Sequence, residues 1–134
     1  MSISVLRIAR PVSDLARSRT LYCAGLDLAV IGSFAHHAGF SGVMLGKPGM
    51  AWHLEFTICH AHPVEPRPTA EDLLVLYLPE EAAWQHTCAA MAQAGFRRTA
   101  ALNPYWEQGG QTFSDHDGYR TVIQRRQWPL NPAG

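Results

Sequence analysis

Apolar and polar residues alternate in short runs, switch to a spacing of three to four, then alternate again, and the chain does this twice. The run at 5–11 is apolar-rich and extended. Over 14–24, Leu15, Ser18, Leu21 and Tyr22 recur at helical spacing, which predicts an amphipathic helix with Asp14 as its cap and Gly25 at its stop. Three strand-like runs follow at 28–34, 42–46 and 52–58. In the second half, LLVLYL at 73–78 reads as a buried strand closed by Pro79. Residues 80–94 carry Ala83, Trp84, Thr87, Cys88 and Met91 on one helical stripe and end at Gly95. Strands are then predicted at 97–102, 111–114 and 119–125. Between the halves stand Pro63, Pro66 and Pro68, which continue neither a helix nor a central strand, so this stretch reads as a linker.

Each half is therefore strand–helix–strand–strand–strand. Two tandem βαβββ modules, each with a helix over the apolar face of its sheet, give an α+β protein. The expected division is a first module at 1–60, a Pro-rich linker at 61–70, a second module at 71–126 and an irregular tail at 127–134, with Trp128 docking on the body. A ferredoxin-like domain with a small appendage is the rival architecture. At 134 residues the chain is long enough for one domain with a core of its own.

The formal net charge is +0, so nothing electrostatic draws this chain to nucleic acid or to an anionic membrane surface. Near-zero charge favours self-association, in keeping with a homodimer. Cys23, Cys59 and Cys88 are odd in number and widely spaced, unlike a disulfide framework, and read as reduced thiols of a cytoplasmic protein. The first ten residues lack the pattern of a signal peptide, and no stretch reaches the roughly 18 to 20 apolar residues of a membrane span.

Three segments carry a resemblance. RIARPVSDLARSRTLYCAGLDLAVIG holds Asp14, Leu15, Ser18, Tyr22, Gly25 and Leu26 in the order of a D-L-x-x-S-x-x-F/Y helix start leading to a G-L turn. HLEFT and the final FSDHDGYRTVIQ, with His116 where a proline is usual, complete a set spread from about Leu6 to Gln124. In that order the segments resemble the glyoxalase/bleomycin-resistance (vicinal oxygen chelate, VOC) superfamily. The resemblance implies a cup-shaped mixed sheet with helices outside, commonly in a homodimer, and a divalent metal held by one side chain from each of four strands. Carried over, those four positions fall on Arg7, Glu55, Leu73 and Val122, and only Glu55 matches. Leucine and valine donate nothing and a guanidinium repels a cation, so the expectation is no metal and no cofactor.

Strand alternation then assigns the rest of the cup face. Val5, Arg7 and Ala9 point in, with His53, Glu55 and Thr57, with Leu73, Val75 and Tyr77, and with Arg120, Val122 and Gln124. Leu6, Ile8, Leu54, Phe56, Leu74, Leu76, Leu78 and Ile123 turn toward the helices. Arg7 is expected to replace the metal as the fixed positive charge and to pair bidentately with Glu55, although such a pair also serves as a plain structural ion pair. Arg120 is the group left to meet an anionic or carbonyl-bearing ligand. Thr57, Tyr77 and Gln124 complete the lining, and Trp52, Tyr105 and Trp106 are either rim aromatics for the ligand or dimer anchors. Cys59, His60 and His62 have a spacing that binds zinc only where further ligands converge. Three functions fit: binding of an aromatic or anionic small molecule in a metal-free cup; a lyase or isomerase with Glu55 or His53 as base and Arg7 or Arg120 as electrophile; or, if the strand register is shifted, a metal-dependent glyoxalase-like enzyme.

Overall fold

The computed structural model describes residues 2–128, which form parts of two compact units, Met1–Arg67 and Pro68–Gly134. Residues 129–134 of the predicted tail lie outside the described residues.

In the first unit the chain runs β1 (Leu6–Pro11), α1 (Leu15–Leu26), β2 (Ala29–His37), β3 (Phe40–Gly46) and β4 (Trp52–Cys59). The strand order is β1-β4-β3-β2, with β1 parallel to β4 and the other neighbours antiparallel. The apolar stripe of α1 buries Leu21 and Tyr22. The Tyr22 ring meets Phe56 edge-on, with centroids 4.8 Å apart, over a fully enclosed Leu54 and Leu45. Asp14 caps the helix as expected: Arg17 N donates to its Oδ1 at 3.0 Å. Asp14→Ala leaves that N–H without its acceptor and is expected to cost about 1 kcal/mol in urea unfolding.

Two expectations fail here. Gly25 does not stop α1; it is buried inside the last turn, and Asp27 takes the left-handed terminating conformation (φ 54°), its carboxylate accepting from Lys47 Nζ at 2.7 Å. Leu6 does not pack under the helix. It lies at the start of the sheet's outer strand and is 52% exposed.

The second unit repeats the plan: β5 (Leu73–Tyr77), α2 (Glu81–Ala94), β6 (Arg97–Thr99), a single turn of 3-10 helix (Pro104–Glu107), β7 (Gly110–Ser114) and β8 (Arg120–Gln124). The sheet order is β5-β8-β7-β6, again with the first and last strands of the unit parallel and adjacent. Glu80 caps α2 by accepting from Ala82 N and Ala83 N, and Gly95 ends it at φ 116°. Cys88 and Met91 on α2 are buried, as are Leu74, Phe96, Phe113 and Ile123 of the same unit. Trp84 Nε1 donates to Ile123 O at 2.9 Å and ties the helix to β8. In the F-S-D-H-D-G-Y segment, Asp115 Oδ1 accepts from Asp117 N and Tyr119 N, which explains why a hairpin needs an aspartate there. The predicted strand at 97–102 ends at Thr99, and Trp128 is 64% exposed rather than docked. Both units are βαβββ, so the α+β class of two tandem modules stands.

Candidate functional site

Parallel pairing of β1 with β4 places Arg7 opposite His53 and Ala9 opposite Glu55. Side chains at these positions share a face, and it is the face away from Leu54 and Phe56. Arg7 Nε donates to His53 Nε2 at 2.8 Å, and Arg7 Nη1 donates to Glu55 Oε2 at 3.3 Å. The expected bidentate Arg7–Glu55 pair is therefore replaced by a divided fork, one arm on the imidazole and one on the carboxylate. The cause is register: His53, not Glu55, stands directly across from Arg7, and Nε reaches the nearer acceptor. A bond received at Nε2 requires that nitrogen to be unprotonated, which puts the imidazole proton on Nδ1. Arg7 Nη2 and Glu55 Oε1 have no hydrogen-bond partner among the described residues. The Arg7 side chain is 47% exposed and that of Glu55 14%. A cation and a nearly covered carboxylate thus each keep one arm for something else.

A divalent metal does not fit this donor set. In the first unit the guanidinium lies against both groups that would hold it, and a permanent cation excludes another. In the second unit the corresponding positions are Leu73 and Val122, hydrocarbon side chains with no donor atom. Among the described residues no three His, Cys, Asp or Glu side chains gather to hold an ion.

The other candidates are more dispersed. Thr57 follows Glu55 on the same face, half-buried and opposite Pro11 and Gly42. Trp52, also half-buried, stands opposite Leu6. In the second unit Tyr77 pairs with Gln124, but Gln124 is enclosed and its Oε1 accepts from Arg126 N at 3.1 Å, so its amide oxygen serves the fold. Arg120 Nη1 donates to Ala100 O at 3.3 Å, holding the chain where it leaves β6. Tyr105 and Trp106 meet edge-on at 5.0 Å in the 3-10 turn, which Asn103 caps. His60 shares a 2.7 Å hydrogen bond with Ser41 Oγ and stacks on His36 at 4.4 Å. Burial pushes the Cys88 thiol up to about 11 and raises that of Cys23 too, so neither is a ready thiolate at neutral pH.

Sequence reasoning missed Met44 and Phe34. Met44 stands directly opposite Glu55, and Gly32 opposite Met44; Gly42 stands opposite Thr57, and Phe34 opposite Gly42. All four therefore share the face of Arg7 and Glu55. The available signal was the alternation of 29–46, in which Gly32 and Gly42 fall at the same parity as Phe34 and Met44.

The sequence matches the YycE-like N-terminal domain over residues 6–57 and the YycE-like C-terminal domain over 71–125. It is 38% identical over 118 residues to the protein YycE of Bacillus subtilis (strain 168), covering 88% of this chain and 85% of that one. The chain belongs to the YycE-like family. A crystal structure of a YycE protein of unknown function from Bacillus subtilis superposes on this YycE-like chain with a TM-score of 0.86 at 35% identity, covering 96% of this chain and 93% of that one. More distant are the trypanothione-dependent glyoxalase I of Leishmania major (TM-score 0.70, 19% identity, 92% and 88% covered) and TnmS3, an antibiotic-binding protein of Streptomyces sp. CB03234 (TM-score 0.63, 20% identity, 92% and 97% covered). These two share its fold. The YycE-like chain thus has the fold of the glyoxalase/bleomycin-resistance superfamily, which its segments resemble. No helix among its described residues is long and apolar enough to cross a membrane.

Proposed function

We propose that this YycE-like chain binds a carbonyl- or carboxylate-bearing small molecule at Arg7, with the guanidinium in place of a metal and no cofactor. The observation that carries this is the divided fork: Nε and Nη1 are fixed by His53 and Glu55, and Nη2 stays available at a half-exposed position. A fixed arginine loses little conformational freedom when it takes up an oxygen acceptor. Both an enzyme and an antibiotic-binding protein are built on the same fold, so the fold supports either use.

The spare Glu55 Oε1 favours a second, compatible reading as a lyase or isomerase. With the ligand's carbonyl oxygen on Arg7 Nη2, Glu55 takes a proton from the adjacent carbon. The C–H electron pair moves into the carbonyl, and the arginine holds the resulting enolate oxygen. Calorimetric titration with small α-oxo and α-hydroxy acids, beside α-proton exchange followed by NMR in deuterated water, tests both. Glu55→Gln is expected to keep binding and lose exchange; wild-type binding without exchange leaves a pure binding protein. The molecule acts in this reading as a cytoplasmic homodimer with no nucleic-acid or membrane partner, which its balanced charge and odd, unpaired cysteines support.

A further inference from the structure

We infer that the molecule held by Arg7 carries a flat apolar group, that this group rests on Met44 and Phe34, and that Gly32 and Gly42 set how large it is. The inference rests on the Arg7 reading above and adds the class of ligand: an aryl- or similarly flat-substituted oxo acid rather than a small, fully polar one.

The argument begins with four residues on two strands. Directly opposed residues in an antiparallel pair project to the same side, so Met44 and Gly32 line up with Glu55, and Gly42 and Phe34 with Thr57. The core lies on the other side, where Val43, Leu45, Leu54 and Phe56 are buried. Met44 and Phe34 are therefore not core residues, yet both are large, apolar and half-buried. The glycines show how these side chains lie. A Cβ at Gly32 would stand 2.8 Å from Met44 Cε, and one at Gly42 would stand 2.5 Å from Phe34 Cζ. The thioether methyl and the ring therefore occupy space that ordinary strand residues would fill with their own side chains. They lie along the sheet instead of standing up from it. The result is a low apolar shelf beginning at the cross-strand neighbour of Glu55 and running away from the charged trio.

An apolar surface beside a few convergent polar groups is the usual composition of a small-molecule site. A thioether and an aromatic ring are also the side chains that best accept a flat π-surface. The polar end fixes orientation at Arg7, and the shelf takes the remainder of the molecule. Substituting either glycine would lift Met44 or Phe34 off the sheet into the space the flat group needs.

The test uses two probes with the same oxo-acid head, glyoxylate and phenylglyoxylate, on the full chain labelled with methyl-13C methionine and 15N arginine. Phenylglyoxylate is expected to bind about tenfold more tightly, as half-covering a phenyl ring implies. It should shift the Met44 methyl resonance, assigned through Met44→Ala, while the buried Met91 methyl stays put; glyoxylate should move Arg7 Nε–H and leave Met44 alone. Phe34→Ala and Gly42→Ala should each erase the preference for phenylglyoxylate and spare glyoxylate binding. With that assignment in hand, the wild-type spectra decide the matter even if Phe34→Ala or Gly42→Ala fails to fold. Equal affinities with an unmoved Met44 methyl, but a shifted Arg7, overturn the shelf and leave the Arg7 reading standing. A shifted Met44 with an unmoved Arg7 overturns the Arg7 reading, and the inference that rests on it, leaving an apolar site alone. No shift at either residue overturns both.

Discussion

Arg7→Met is expected to weaken binding of an oxo acid by about 10- to 100-fold, the loss that follows from removing one charge-assisted hydrogen-bond donor. Methionine keeps the length and apolar stem of the side chain, so the strand keeps its packing and loses its charge. Stability should fall far less than the burial of Glu55 alone suggests. Breaking a wholly buried ion pair costs about 3–5 kcal/mol, and breaking an exposed one costs about 0–1 kcal/mol. Here the carboxylate is nearly covered but its cation is half open to water. Screening by that water puts the expected cost at about 1–2 kcal/mol. Calorimetric titration and thermal denaturation of the same variant separate the two effects. Retained binding would remove Arg7 from the site, and a destabilisation of the fully buried size would make it a structural strut.

Phe56→Ala is expected to have the largest effect on stability, about 3–5 kcal/mol in urea unfolding. The ring is completely enclosed, and its edge-on contact with Tyr22 joins β4 to α1. Its removal leaves a cavity between helix and sheet that neither element is free to close, because hydrogen bonds to β1 and β3 fix β4 on both sides. The substitution also tests the link from core to site. Phe56 lies between Glu55 and Thr57, so loosening it should blur the register that sets His53 across from Arg7 and keeps Glu55 within its reach. Oxo-acid affinity should fall in parallel with stability, although Phe56 faces the opposite side of the sheet.

Much of this was legible from local pattern. The alternation in HLEFT separates Leu54 and Phe56, both enclosed, from His53 and Glu55 on the other face. Asp14 and Gly95 announce helix ends by a carboxylate that caps and a residue that tolerates positive φ. What failed was non-local. Whether Arg7 meets Glu55 or His53 depends on the register between strands 46 residues apart, which no local period encodes. Leu6 looks like a core residue in every local respect, and only its place at the start of an outer strand exposes it. Gly25 carries the right residue type for a helix stop, but the stop falls two positions later, where an aspartate adopts the left-handed conformation. The shelf was hidden for a similar reason, because glycine in a strand shows its purpose only when the residue across from it is known.

The outer position of β1 has one more consequence. Its arginine is anchored by two side chains of β4, the last strand of the same unit, so the first segment of the unit and the last must meet before the Arg7–His53–Glu55 arrangement exists. An outer strand is also among the first to peel away in native-state fluctuations. When it does, the positive charge leaves with it while His53 and Glu55 stay behind. On the reading proposed for Arg7, occupancy by an oxo acid and docking of the amino-terminal strand are therefore one equilibrium seen from two ends, and such a ligand also latches β1 onto β4.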